Sequence, residues 1–400
     1  MVTPKPGERG RPRKFPVLDP EPLRRPWRAR AIALAVVAGA VAAAAALWSL
    51  SSGGSRPAGA AGQSASLAAR AGGRILALTP TGSLVLTDPG GTHVTTVRAL
   101  GVVGQVVTAS PDGRYLSLGN GQVAVVRTGP VLAAYPTKMS VSWEKIPAWP
   151  DSFADHERQL VMLLTYGLSG SATNPVRLTS VATGRSVSLG VGHQVAGDPQ
   201  AAGAFVSVAA PPRPSAAVTH FIPDSRIELR DAGRPPVTLA TSAALNQDLG
   251  QSQHLPVQLI PYPDQSGDQV AVIVQPTAGS QQAGMVVLNR AGRVLGTVPA
   301  RLGVQGTPAW APSGGSLAYS STGSNGPELR VWKIGGQIVT RPFPVSDGSY
   351  SWCIWSPDGA SILCAAPGGG TGSQNWAVTG AAGGAMAGVR GPGFPVAWLP

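Results

Sequence analysis

The sequence predicts an all-β protein, a β-propeller most simply of seven four-stranded blades closed by N- and C-terminal strands and preceded by one transmembrane helix. Three observations favour this fold: many turn-forming residues, short apolar runs between them, and a repeat of about 45 residues. The 400 residues include 52 glycines and 38 prolines, which disfavours a mostly helical chain. With 43% hydrophobic and 12% charged residues, the chain is also not of the disordered class.

The repeat is clearest in three segments, each an apolar strand, a turn and a second apolar strand. They are Ala109–Leu118, Trp310–Tyr319 and Trp355–Cys364. Their turns carry proline, aspartate and glycine, which favour tight turns, at Pro111, Asp112, Gly113, Pro312, Pro357, Asp358 and Gly359. We expect these residues to be structural, with the tryptophans at one shared repeat position, Trp310, Trp355 and Trp398, packed between blades.

Looser copies and the chain ends complete the repeat. Turns are predicted at Trp149-Pro150-Asp151, Asp198-Pro199-Gln200 and Tyr262-Pro263-Asp264. The first unit begins at Arg74 and supplies three strands, whereas the chain finishes with one unpaired strand, Val396–Pro400. Pairing these two ends in one sheet would close a ring and remove exposed edges. The count of seven blades leaves six or eight open, because the middle copies are degenerate.

The Ser-Pro-Asp-Gly units resemble the TolB-like family of β-propellers, in which an apolar strand ends in Trp-Ser-Pro-Asp-Gly before a second strand. The resemblance is sharp in three units and covers residues 73–400 in outline. WD-repeat propellers are the alternative relatives, although Val331-Trp332-Lys333 lacks the aspartate of the Trp-Asp signature. The resemblance implies a non-enzymatic binding or scaffolding role.

Four regions follow from the charge and hydropathy pattern. Residues 1–30 carry nine basic and three acidic residues with many prolines, and are predicted to be a disordered basic cytoplasmic tail. Residues 31–50 are free of charge and long enough as a helix to span a bilayer. Residues 51–72 are predicted to be a flexible linker and residues 73–400 the propeller.

The membrane topology follows from the basic flank. Residues 1–30 contribute half of the net charge of +12. Because basic flanks stay on the cytoplasmic side, the tail is predicted to be cytoplasmic and the propeller to lie outside the cell membrane. The composition indicates a bacterial protein. The expected lipid contact is through residues 31–50, and the basic tail is assigned to anionic headgroups rather than to nucleic acid. A cleaved signal peptide and a buried soluble helix are the alternatives for this segment.

The two cysteines are predicted to face each other. In a hairpin turning at Asp358-Gly359, Cys353 and Cys364 are cross-strand neighbours, close enough for a disulfide in an oxidising compartment. Two buried thiols are the alternative. A zinc site at these positions is disfavoured, because no histidine lies nearby.

No catalytic, metal-binding or cofactor-binding residue is assigned. Asp112, Asp264 and Asp358 sit at Pro-Asp turns, where a short carboxylate bonds its own backbone. The five histidines show no metal-ligand spacing. Nucleophile-elbow and phosphate-loop patterns are absent from the sequence.

These features together predict a single-pass, extracytoplasmic propeller that binds a protein, peptide or cell-envelope component, without nucleic acid. Variable loops on a rigid ring suit binding. The alternatives are a hydrolase or lyase that uses polar residues lining the channel, and a sensor that signals through the cytoplasmic tail.

Overall fold

The computed structural model describes residues 71–99, 107–109, 115–119, 123–127, 133–135, 148–156, 158–164, 174–180, 183, 185–209, 225–277, 282–324, 326–344, 352–366 and 374–400. The basic tail, the predicted transmembrane segment and the linker up to residue 70 lie outside these ranges. Among the helices within them, none combines the length and the apolar character that a membrane crossing needs.

The described chain is a series of antiparallel four-stranded meanders. Their strands, in chain order, are β1 (Arg74–Leu78), β2 (Ser83–Thr87), β3 (Thr95–Ala99); β4 (Val107–Ala109), β5 (Tyr115–Gly119), β6 (Val123–Arg127), β7 (Ala133–Tyr135); β8 (Ala148–Ala154), β9 (Gln159–Leu164), β10 (Asn174–Ser180), β11 (Ser186–Gly192); β12 (Gln194–Gly197), β13 (Gly203–Ala209), β14 (Ser225–Asp231), β15 (Val237–Thr241); β16 (Val257–Pro263), β17 (Gln269–Pro276), β18 (Gly284–Asn289), β19 (Val294–Val298); β20 (Gln305–Trp310), β21 (Ser316–Gly323), β22 (Gly326–Lys333), β23 (Ile338–Pro342); β24 (Trp352–Trp355), β25 (Ser361–Ala365), β26 (Gln374–Gly380), β27 (Ala387–Gly391) and β28 (Phe394–Leu399).

These strands form five four-stranded sheets and one eight-stranded sheet. The eight-stranded sheet consists of two meanders, β20–β23 and β24–β27, joined by one parallel pairing of Thr307 with Trp352. All other pairings between described strands are antiparallel, as expected for strands connected by short turns.

The first and last strands of the propeller lie in the same sheet, whose order is β28-β1-β2-β3. Arg74 is paired with Leu399, and Ile75 with Trp398. The predicted pairing of the two ends is therefore present. It covers the edges that β1 and β28 would otherwise expose.

The strand that starts each meander, called here its first strand, contacts the first strands of its neighbours. These strands are β4, β8, β12, β16, β20, β24 and β28. Neighbours touch from β28 through β4, β8 and β12 to β16, and from β20 through β24 back to β28. Between β16 and β20 the link is a hydrogen bond from Trp310 Nε1 to the Tyr262 carbonyl. The first strands thus follow one another around a closed ring, as in a β-propeller.

Five of the six core clusters among the described residues lie between neighbouring meanders. Phe205 and Ile227 of β12–β15, for example, pack against Leu259 and Val272 of β16–β19. Similar clusters join β16–β19 to β20–β23 and β20–β23 to β24–β27. Alternate residues of each strand point to opposite faces of its sheet, so a meander that packs against a neighbour on each side is apolar on both faces.

The turn predicted at Trp149-Pro150-Asp151 is wrong, because these residues lie inside β8. The register between β8 and β9 shifts between Pro150 and Ser152, and such a bulge accommodates a proline that has no N–H to donate. The chain turns instead at Asp155 and His156, which both have positive φ angles.

One helix was not predicted from the sequence. Helix α1 (Ser242–Asp248) lies in the connection from β15 to β16, with Thr241 Oγ1 accepting a hydrogen bond from the Ala244 N–H at its start. Its buried Leu245 joins the core between two meanders. Only seven residues long, it is too short for a clear amphipathic period.

The propeller has two unlike faces. We call the face where first strands begin the loop face, and the face where they end the turn face. Strand ends on the turn face are joined by short stretches of sequence, whereas the six longest stretches between consecutive strands join strand ends on the loop face: residues 136–147, 165–173, 210–224, 242–256, 343–351 and 366–373, most of which lie outside the described ranges. Because β1 begins at Arg74 beside the end of β28, the chain enters the propeller on the turn face.

Candidate functional site

Turn-face aspartates are occupied by their own turns. The Asp358 carboxylate accepts hydrogen bonds from Ser356 Oγ at 2.6 Å and from the Ala360 N–H at 2.9 Å, and these bonds lower its pKa. Asp264 accepts from Ser266 Oγ at 2.8 Å and from the Gln269 N–H at 3.1 Å. Burial nevertheless raises the pKa of Asp264. Both carboxylates hold turns.

Other predicted motif residues lie on the same face. Pro312 and Pro357 follow the ends of β20 and β24, and Gly359 has a φ of 69°, which favours glycine. Pro111, Asp112 and Gly113 lie outside the described residues.

Three motif tryptophans donate their indole N–H groups to backbone carbonyls. Trp310 donates to Tyr262 at 2.8 Å and Trp355 to Ala309 at 2.9 Å, in each case reaching the preceding first strand. Trp398 donates to Gly72 at 2.9 Å and so secures the chain where it enters the propeller. The repeated indole therefore joins neighbouring parts of the ring.

Two buried carboxylates, Asp198 and Glu228, form ion pairs that join or brace the sheets. Asp198, fully buried after β12, pairs with Arg290 after β18 and raises its pKa through their hydrogen bond. Glu228 pairs with Arg226 and Arg230, and Arg230 also donates to the Leu189 and Val191 carbonyls of the neighbouring meander. The sequence does not reveal the pairing of Asp198 with Arg290, because these two residues lie 92 positions apart along the chain.

Cys353 and Cys364 are register partners in the β24–β25 hairpin, and their sulfur atoms are bonded. The hairpin register predicted from the sequence is the observed one. Both residues are buried in the core between β20–β23 and β24–β27. The disulfide is thus a structural element of the interior.

The loop face carries a different set of groups. Trp352 begins β24, Gln374 begins β26 and Phe394 begins β28, and all three residues are half-buried. The rings of Trp352 and Phe394 lie 5.3 Å apart at 55° to each other. We call these three residues the loop-face cluster.

Two polar atoms of this cluster are buried and have no partner among the described residues. Trp352 Nε1 and Gln374 Oε1 make no hydrogen bond within the described part of the chain. His193 lies just before β12 on the same face, and its Nε2 is likewise buried with no hydrogen bond among the described residues. Burial lowers the pKa of His193. Buried polar atoms are usually paired, so these groups mark a candidate binding site.

The first strands that surround the axis are nearly free of charge. Asp151 of β8 is the one charged residue in the seven described first strands. At their loop-face ends they instead present amides such as Gln194, Gln258 and Gln305, together with Trp352 and Phe394. Such a surface suits an uncharged ligand that forms hydrogen bonds and apolar contacts.

No set of three or more His, Cys, Asp or Glu side chains in the described ranges is arranged to hold a metal ion. His93, His156, His193 and His254 are separated along the chain and in different connections, and His220 lies outside the described residues.

No protein-family model matches this chain. No curated protein matches it in sequence.

Several solved structures are similar to it. The β-propeller domain of the Trilobed protease from Pyrococcus furiosus, described as having an open velcro topology, is 10% identical with a TM-score of 0.50, over 78% of this chain and 91% of that one. A prolyl endopeptidase is 11% identical with a TM-score of 0.50, over 83% of this chain. The chain spans about half of the endopeptidase, 52% of its length. A putative TolB from Agrobacterium tumefaciens is 10% identical over 76% of this chain and 88% of that one, with a TM-score of only 0.40.

At these identities the likeness concerns the fold alone. The first two structures support an all-β propeller fold for this chain. In this protein β28 and β1 are paired.

Proposed function

We propose that this protein is a membrane-anchored, seven-bladed β-propeller that binds a protein, peptide or cell-envelope ligand outside the cytoplasmic membrane. In this proposal residues 31–50 cross the membrane, residues 1–30 stay in the cytoplasm, and each four-stranded meander is one blade. The loop face is the binding surface. The protein acts by binding and not by catalysis.

The main support for this proposal is the difference between the turn face and the loop face. The chain enters the propeller on the turn face, where Trp398 donates to the Gly72 carbonyl and Arg74 pairs with Leu399. An anchor that precedes residue 71 is therefore attached on the turn face. The loop face, where the strand ends joined by the six longest stretches of sequence lie, is on the other side of the ring. Long connections on a rigid scaffold are where binding surfaces usually form.

Seven blades are supported by the strand order. Each first strand is followed by three antiparallel neighbours, and the composite sheet β28-β1-β2-β3 supplies the blade that neither end could form alone. The eight-stranded sheet fits the same count, because only the Thr307–Trp352 pair joins its two halves.

A cross-linking experiment tests the choice of face. A photo-reactive amino acid is placed at Gln305, exposed at the loop-face end of β20, or at Ser313, exposed in the turn after the same strand. In intact cells that express the full chain, we expect a discrete cross-linked adduct from position 305 and none from position 313. Adducts from position 313 alone would assign binding to the turn face and overturn the proposal.

Protease treatment of intact cells tests the topology. The propeller should be digested while a tag on residues 1–30 remains protected, because the basic flank favours the cytoplasm. Digestion of the tag with protection of the propeller would reverse the proposed orientation. Turnover of a small molecule by the purified full chain, without any cross-linked adduct, would favour an enzyme instead.

A further inference from the structure

The geometry of the loop-face cluster restricts the chemical class of ligand that it can bind. Trp352 and Ile354 alternate with Cys353 along β24, so they point to the same side of the sheet, and Gln374 lies on the same side of β26 as Trp376. Ile354 and Trp376 pack in the cluster that contains Ile75 and Trp398. Trp352 and Gln374 therefore both face the meander formed by β28 and β1–β3.

The two side chains also lie at the same end of that interface. Trp352 and Trp376 are both register partners of Ala365, so they share one row across β24, β25 and β26. Gln374 lies two residues nearer the loop face on β26. Strands that are two apart in a sheet are separated by about 10 Å, a span that two long side chains can bridge around a small group.

Trp352 differs from the tryptophans that hold the ring together. The N–H groups of Trp310, Trp355, Trp376 and Trp398 all donate to backbone carbonyls, Trp376 to Gly393 at 3.0 Å. The Trp352 N–H is buried and finds no acceptor among the described residues. Its function is therefore not explained by the packing of the sheets.

The unpartnered atoms are one donor and one acceptor. The indole N–H can only donate, whereas Gln374 Oε1 can only accept. A peptide group presents one carbonyl and one N–H on opposite sides and would satisfy both. The strands of the cluster, β24, β26 and β28, contain no charged residue, and the Trp352 and Phe394 rings offer apolar surface.

We infer that the loop-face cluster binds one backbone amide of an uncharged peptide segment. Trp352 Nε1 donates to its carbonyl, Gln374 Oε1 accepts from its N–H, and the two aromatic rings contact the neighbouring apolar side chain. This inference rests on the proposed binding function and specifies its ligand.

The test uses the full chain in detergent and ligand-observed saturation-transfer NMR. The probe is N-methyl-4-methylpentanamide, which carries one secondary amide on a leucine-like chain, and methyl 4-methylpentanoate is its ester counterpart without the N–H. We expect the amide to bind about five- to tenfold more tightly than the ester, as expected for one net hydrogen bond.

Two variants remove the polar atoms singly. Trp352→Phe removes the donor and Gln374→Met the acceptor, and each should weaken binding of the amide about five- to tenfold. Gln337→Met, an amide substitution exposed in the turn between β22 and β23 on the turn face, should leave binding unchanged. Gln374→Met keeps a side chain of similar length, so it preserves the test if Trp352→Phe fails to fold.

Three outcomes overturn the inference: no binding of the amide to the wild-type protein, equal binding of amide and ester, or undiminished binding by both folded variants. Saturation transfer to maltose, but not to the amide, would assign the cluster to a glycan and would equally overturn the inference. The proposed function is judged separately by the cross-link at position 305. If the amide does not bind but the Trp352→Phe variant still forms this adduct, loop-face binding is retained and only the role of the cluster is rejected.

Discussion

At the scale of single residues, buried charge joins neighbouring sheets. Asp198 Oδ2 pairs with Arg290, and Asp198 Oδ1 accepts from the Gln200 N–H at 3.0 Å. Arg290 also donates to the Gly267 carbonyl at 3.3 Å. One aspartate after β12 thus connects its own turn with the next meander.

Asp198→Ala should destabilise the protein by about 2–3 kcal/mol, because it removes the ion-pair partner of Arg290, whose side chain is only 29% exposed. Urea denaturation of the full chain, followed by tryptophan fluorescence, measures the loss. Asp358→Ala is the matched control: it also removes a turn aspartate, but this carboxylate is exposed and bonds only its own turn, so the loss should be clearly smaller. Equal losses would show that the link between meanders contributes nothing.

Glu228 predicts a pH dependence. Burial opposes its ionisation, but hydrogen bonds from Arg226 and Arg230 outweigh this and lower its pKa from the ordinary 4.5. A lowered pKa in the folded state stabilises the protein fully above pH 4.5, and this stability is lost as the pH falls through the folded value. Urea midpoints between pH 3 and pH 6 should therefore decline in the wild type on the acid side.

Glu228→Gln isolates this contribution. The variant should be less stable near pH 6, and its urea midpoint should fall less steeply below pH 4.5, because the titrating group is gone. Arg226, Arg230 and the backbone carbonyls that Arg230 contacts remain. A variant with the same acid slope as the wild type would contradict the assignment to Glu228.

At the scale of elements, the β24–β25 hairpin is closed covalently. The disulfide joins residues 11 positions apart. A loop of this length is expected to contribute about 2–3 kcal/mol through the unfolded chain. Reductant should accordingly lower the urea midpoint of the wild type. The double variant Cys353→Ala and Cys364→Ala should start lower and be insensitive to reductant, whereas a reductant effect in it would point to another cause.

At the scale of the whole molecule, the ring depends on its last strand. Deleting residues 394–400 removes β28 and exposes the edge of β1. It also removes the hydrogen bond from Trp398 to the Gly72 carbonyl. Size-exclusion chromatography of the detergent-solubilised chain should then show aggregates or an expanded monomer. Deletion of Pro400 alone, which follows β28, is the control and should elute as the wild type does. A compact, monomeric 394–400 deletion would mean that closure is dispensable.

Much of the fold could be predicted because its signals are local. The Pro-Asp-Gly turns place the hairpins, the turn at Asp358-Gly359 sets Cys353 opposite Cys364, and the phase of the repeat pairs the last strand with the first. The turns and the hairpin register need only neighbouring residues and the two-residue period of a strand, whereas the pairing of the chain ends follows from the phase of the repeat along the whole sequence. The exception, Pro150, failed because a bulge placed the proline inside β8.

The sequence by itself determined the all-β class, the repeat, the hairpin register and the pairing of the chain ends. The tertiary structure decided which side chains meet between meanders: Asp198 with Arg290, 92 positions apart, and Trp352 with Phe394 at the loop face. These contacts depend on how whole sheets pack side by side around the ring. The positions of these residues along the chain do not indicate how the sheets pack, so the loop-face cluster could be identified only in the folded structure.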